Sequence, residues 1–246
     1  MALLRRLRAS PDGAEAASLL GSCEEAALGT ALRLRAAVKE HGGKATLEVL
    51  AVGPEQDDAA LEFALACGAD EAFRIWSPAL DGTDFYATAQ VLAAAVRLRG
   101  STWVLCGDRS GDEALGATGP AVAEFLGVPH LTGARNVRLD DDGALLVRHR
   151  GGDLVRELRV RPPAVLCVAE GPAPAAPPMP PAAASKKRRS RKGHPQRLEL
   201  SALGIMAEQL RHRQRFLGAA EPRSGPAEIL PTAEALVDRL KSDGLI

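Results

Sequence analysis

The sequence predicts an α/β protein: a doubly wound, mostly parallel sheet with a small antiparallel hairpin addition and an extended C-terminal helical arm. Three observations lead there. Short apolar runs rich in β-branched or bulky residues end in breakers, as strands buried on both faces do. Segments with apolar residues at three- and four-residue steps lie between them, and that alternation is the signature of βαβ units. Aromatic residues are only 3% of a chain that is 46% hydrophobic, so the core must be built from Ala, Leu and Val.

Taken in order, the first helix is expected over 24–39, where Ala27, Leu28, Ala31, Leu34 and Val38 share a face. A strand over 46–52 precedes the turn signal Gly53-Pro54. The next helix, 57–67, stops at Gly68, and a strand follows over 71–76. Asp84 is placed to cap a helix over 84–97, with Ala87, Val91, Leu92 and Ala95 as its inner face. The strand 101–106 runs into Gly107-Asp108, and a fourth helix is expected from about Gly116 to Leu126, ending at Gly127. A hairpin pairs 134–139 with 144–150 around Asp140-Asp141-Asp142-Gly143, since Asp-Gly suits the left-handed positions of a tight turn. The segment 154–160 is expected to join them, and 164–168 to form a further buried strand.

Composition changes at Gly171. The stretch GPAPAAPPMPPAAAS favours polyproline II, and a basic run from Lys186 to Lys192 follows it. Amphipathic pieces are expected over 201–216 and 232–242, the second capped by Thr232. Domain boundaries are therefore placed at 1–170 for an α/β nucleotide-binding domain, 171–197 for a Pro/Ala-rich and basic linker, and 198–246 for an arm whose helices pack on a partner subunit.

Charge excludes little and selects nothing. Lys plus Arg and Asp plus Glu both number 31, so no global field draws the chain to nucleic acid or to a membrane surface. The basic run has no interleaved aromatics to stack on bases, so no nucleic-acid partner is expected. No stretch approaches eighteen consecutive apolar residues, and the first residues lack a secretory signal; a cytoplasmic setting without membrane insertion is expected. The cysteines Cys23, Cys67, Cys106 and Cys167 form no CxxC pair, the five histidines show no metal spacing, and no Ser or Cys has triad context. No catalytic residue and no metal site are expected.

The loop after the strand 101–106 is the candidate site. In open parallel sheets, ligands sit beyond the carboxyl ends of strands. GDRSGDEALGATGP, residues 107–120, has four glycines that admit close backbone approach, and it leads into a helix N-terminus with unpaired N–H groups suited to an anion. Ser110 and Thr118 add hydroxyls. Neither a Walker A loop nor GxGxxG is present.

This loop is similar to one in the beta subunits of electron-transfer flavoproteins, G-K/R-Q-A-x-D-x-D-x-x-Q-T/V-G followed by a helix. Laid on it without a gap, Gly107, Asp112, Thr118 and Gly119 coincide and Arg109 and Ser110 stand at its Q-A positions, while Leu115, Gly116 and Ala117 stand where polar residues are usual. The string Ala64-Leu65-Ala66-Cys67-Gly68-Ala69-Asp70 resembles the family's ALAMGAD block, and 49–54 its IAVS-x-GP block. Residues 158–165 resemble a passage ending P-A-V-V, and 234–246 the closing E-D-L-V helix. The likeness is collinear over roughly 20 to 246. The opening Leu3-Leu4-Arg5-Arg6-Leu7 departs from the family's VLVxVKRVPD strand, and the stretch after it is shortened to 19–23.

The resemblance implies a non-enzymatic electron-carrier subunit that holds a structural AMP and buttresses an FAD bound largely by an alpha subunit. It implies cofactor contacts at Gly107, Arg109, Ser110, Asp112, Gly116, Ala117, Thr118 and Gly119. It further implies partners: the alpha subunit, acyl-CoA or similar dehydrogenases as in fatty acid oxidation, and a quinone reductase-type acceptor. The Pro/Ala stretch aligns with the family's recognition loop, which assigns docking to Met179, Lys186 and Lys187. Two rival readings stand beside this one: a degenerate paralogue that has lost its nucleotide, and a stand-alone adenine-nucleotide-binding protein of universal-stress-like fold.

Overall fold

The computed structural model describes residues 2–5, 20–110, 114–151, 153–170, 194–210 and 230–245. It divides into two compact units, Met1–Arg213 and Gln214–Ile246.

The first unit is built on a nine-stranded sheet ordered β7-β6-β5-β8-β4-β1-β2-β3-β9. Its strands are β1 (Ala2–Arg5), β2 (Glu48–Val52), β3 (Glu71–Ile75), β4 (Trp103–Gly107), β5 (His130–Leu139), β6 (Leu145–Gly151), β7 (Leu154–Val160), β8 (Ala164–Val168) and β9 (Gln196–Leu198). From β5 through β8, β4, β1, β2 and β3 to β9 every pairing is parallel, while β6 and β7 add antiparallel strands at one end. The helices are α1 (Ser22–Glu40), α2 (Asp58–Cys67), α3 (Phe85–Arg99) and α4 (Thr118–Leu126).

Alternation along the strands separates two cores, because successive side chains leave opposite faces of a sheet. Val49 and Ala51 of β2, Leu105 of β4, and Leu166 and Val168 of β8 join Ala27, Leu28 and Ala31 of α1 and Leu61 and Ala64 of α2. Leu50, Val104, Val165, Phe73 and Ile75 join Ala87, Val91, Leu92 and Val96 of α3 and Val122 and Ala123 of α4. Helices therefore cover both faces, as the doubly wound expectation requires. The alanines let helices lie close to the sheet. Tyr86 of α3 meets Phe125 of α4 edge-on, with centroids 5.0 Å apart.

Helix ends follow the sequence signals closely. Asp84 caps α3, its Oδ1 accepting from the N–H groups of Tyr86 and Ala87 at 3.1 Å. The turn between β5 and β6 closes through Gly143 N–H donating to the Asp140 carbonyl at 3.0 Å. β5 begins earlier than expected, at His130, because its first residues pair in parallel with β8 before the strand turns to meet β6.

The C-terminal third differs from expectation. Residues 196–198 were assigned to a linker and arm, yet β9 pairs Gln196, Arg197 and Leu198 with Phe73, Arg74 and Ile75. The helix expected over 201–216 is absent from its described part; Leu200–Leu203 and Ala207–Gln209 are single 3-10 turns, separated by Gly204 in a left-handed conformation. Leu200, Ile205 and Leu210 are buried in the α3-side core. Those three side chains are covered within this unit. Residues 171–193 and 211–229 lie outside the described residues. In the second unit, Thr232 caps α5 (Ala233–Ser242), accepting from Ala235 N–H at 3.1 Å.

Candidate functional site

The chain runs β1, β2, β3 in one direction across the sheet and then returns to place β4 on the other side of β1. Such a reversal leaves a crevice beyond the carboxyl ends of the two flanking strands. The predicted loop lies at that point. β4 delivers Gly107, and a side chain there would stand 3.1 Å from Cys23 Cβ and from the Glu24 nitrogen. Glycine thus lets the first turn of α1 press against the start of the loop.

Asp108 fixes the next step. Its N–H donates to the Val168 carbonyl at 2.9 Å, and its Oδ1 accepts from Gly133 N–H at 2.7 Å. The loop is thereby tied to β8 and β5. Arg109 is 70% exposed in its side chain and approaches Asp108 only at 3.9 Å, so its guanidinium faces solvent. Among the described residues, Ser110 Oγ is sealed from solvent with no hydrogen-bond partner. An orphaned buried hydroxyl costs ~1–3 kcal/mol, and a ligand oxygen accepting from it would remove that cost.

The chain doubles back at Gly116, where φ is 62° and an added Cβ would lie 3.0 Å from the Asp108 carbonyl. Only glycine meets both conditions. Ala117 precedes α4 and supplies no side-chain cap to its first turn. The first-turn amides of a helix have no intrahelical acceptor and carry the positive end of its dipole, so they suit an anion. Thr118 is half-buried beside them.

Gly119 is set by packing. A Cβ there would stand 2.3 Å from Cys167 Sγ and 2.7 Å from Cys106 Sγ. These two thiols are register partners on β8 and β4, 3.6 Å apart, so the start of α4 rests directly on the sheet. The hydrogen bond to Cys167 and then burial push the Cys106 thiol well above its ordinary range. Both act as packed thiols rather than nucleophiles.

The structure therefore brings Gly107, Arg109, Ser110, Gly116, Ala117, Thr118 and Gly119 together in one loop and helix start. Asp112 lies outside the described residues, as do Met179, Lys186 and Lys187. Sequence reasoning missed Asp108 as the tie to β5, and Gly133 as its partner. They are 25 residues apart, and the only signal was the Gly107-Asp108 pair itself. A cavity of about 910 Å³ lies elsewhere, at the amino ends of β2, β3 and β4. In its wall Arg35 pairs with Asp70 at 2.7 Å and Arg99 with Glu71 at 2.7 Å. Among the described residues no cluster could hold a metal ion, and no helix is long and apolar enough to cross a membrane.

Residues 15–201 match the model of the Electron transfer flavoprotein domain. The chain belongs to the electron transfer flavoprotein family. It is 36% identical over 149 residues to the Electron transfer flavoprotein subunit beta of Thermoanaerobacterium thermosaccharolyticum, a match covering 61% of this chain and 55% of that one. The subunit beta of Methylophilus methylotrophus is 32% identical over 125 residues, 50% of this chain and 47% of its own. That of Mycobacterium tuberculosis is 32% identical over 160 residues, 65% and 60%. The chain thus spans about half to three-fifths of the length of these curated relatives. The family's similarity sits on the beta-subunit side, as the loop and the ALACGAD block led one to expect.

Proposed function

We propose that this chain is the beta subunit of a heterodimeric electron-transfer flavoprotein. It holds an AMP at the loop after β4 and buttresses an FAD bound mainly by an alpha subunit. The observation that carries the AMP reading is the uncapped start of α4 joined to a glycine-lined loop with the orphaned Ser110 hydroxyl. An adenine nucleotide's phosphate supplies what those groups lack, an anionic acceptor.

Each residue then has a defined task. Ser110 Oγ donates to a phosphate oxygen, and Thr118 offers its hydroxyl and its N–H. Gly107, Gly116 and Gly119 let the loop and the start of α4 pack in the positions that aim these groups, and the small side chain of Ala117 leaves the approach open. Arg109 supplies a mobile positive charge at the rim, and Asp112 belongs to the same loop. The flavin, when bound, supplies the redox chemistry, so the chain positions and tunes rather than catalyses. Electrons pass from acyl-CoA or similar dehydrogenases to a quinone reductase-type acceptor, with Met179, Lys186 and Lys187 serving the donor's docking.

Replacing Ser110 by Ala tests the phosphate contact. In the purified heterodimer, AMP affinity falls about tenfold while the melting temperature holds or rises, because the orphaned hydroxyl is gone. Unchanged affinity in Ser110→Ala and in Thr118→Ala together would remove the phosphate from this loop.

A further inference from the structure

Another buried polar atom at the carboxyl-end side of the sheet is His149 Nδ1, sealed from solvent without a hydrogen-bond partner among the described residues. His149 stands on β6 opposite Ala134 of β5. It lies two residues beyond Val147, which is wholly buried on the α1 side, so its ring leaves the sheet on that same face.

Its surroundings connect it to the crevice. β5 shifts register against β8 between Leu131 and Ala134, an irregularity that contains Gly133 at φ 61°. Bulges of this kind re-aim neighbouring groups and recur beside functional sites. Gly133 N–H is the group that Asp108 Oδ1 accepts at 2.7 Å, so the bulge is tied to the residue that opens the candidate loop. A side chain on Gly133 would begin 3.8 Å from His149 Cδ2 and 3.9 Å from Nε2. Because that residue is glycine, nothing from it covers the ring's outer edge.

With Nδ1 sealed, Nε2 is the ring nitrogen on the edge that faces Gly133. We propose that His149 is a further nucleotide contact, its Nε2–H donating to a phosphate oxygen of the ligand held by the loop after β4. This rests on the AMP reading and extends the site from the loop and α4 to the hairpin addition.

The test uses the full chain co-purified with its alpha subunit, stripped of nucleotide and titrated with AMP and, separately, with adenosine. His149→Ala weakens AMP about tenfold and leaves adenosine unchanged, since adenosine has no phosphate. His149→Gln, whose amide keeps a donor, retains most of the AMP affinity. Equal AMP affinity in wild type and His149→Ala overturns the inference and leaves the AMP reading intact. Equal losses of AMP and adenosine with a lowered melting temperature also overturn it, because they mark a packing role. A wild-type dimer that binds no AMP overturns the nucleotide reading and this inference with it.

Discussion

Gly119 shows how one missing side chain seats a helix. The first turn of α4 rests on Cys106 and Cys167 with no room for a methyl group. Gly119→Ala therefore overpacks the contact and costs about 1–3 kcal/mol, read as a drop in chemical-denaturation midpoint. Adding Cys167→Ala removes the nearer sulfur and restores much of that loss; a double-mutant cycle without coupling would contradict the packing account. Ser110, Thr118 and the loop glycines were legible in sequence because they are contiguous and of a type that suits phosphate. His149 and Gly133 were not. His149 read as an ordinary strand residue, since its orphaned nitrogen exists only once β5 and β6 are paired. The same holds for the thiol pair, 61 residues apart in the chain.

At the scale of elements, the ALACGAD string has a mechanical reason. Asp70 Oδ2 accepts from Leu47 N–H at 2.9 Å and from Arg35 at 2.7 Å, and Arg35 also donates to the Gly68 carbonyl at 2.6 Å. One carboxylate thus ties the end of α2, the start of β2 and the back of α1. Asp70→Ala costs about 1–3 kcal/mol, measured by denaturant unfolding. The hairpin responds to pH through Asp142. The Ala144 N–H, and then Arg159 and Arg161, hold its carboxyl below the usual range. A depressed folded-state pKa means the stabilisation is complete above the ordinary carboxylate value and fades as pH falls through the lowered one. Asp142→Asn therefore flattens the acid limb of the stability profile; an unchanged limb would show the contacts to be inert. Helix bounds were legible because caps and glycines mark them, as at Asp84 and Gly127. The two 3-10 turns at Leu200–Leu203 and Ala207–Gln209 were not, because spaced leucines imitate a helical face.

For the whole molecule, the parallel sheet and its two helical faces were legible from the alternation of element types. The place of β9 was not, because three residues pair with β3 across a gap of more than a hundred positions, and no local pattern announces such a partner. Leu200, Ile205 and Leu210 complete the α3-side core, although the segment 201–216 reads as an amphipathic helix in the sequence. In the second unit, Leu236 is 49% exposed and Val237 40% exposed on α5, a helix with no buried residue among those described. An amphipathic helix left open in this way suits burial against a partner. Replacing Leu236 and Leu240 by Ser should therefore lower the yield of heterodimer in a pull-down with the alpha subunit, without moving the unfolding transition of the first unit. The central claim is tested most directly by co-expressing the chain with its alpha subunit and measuring the native mass and released nucleotides of the purified product. The account predicts a one-to-one heterodimer carrying one FAD and one AMP. A monomer of this chain that binds ATP or AMP alone, and no flavin in any assembly, would contradict it.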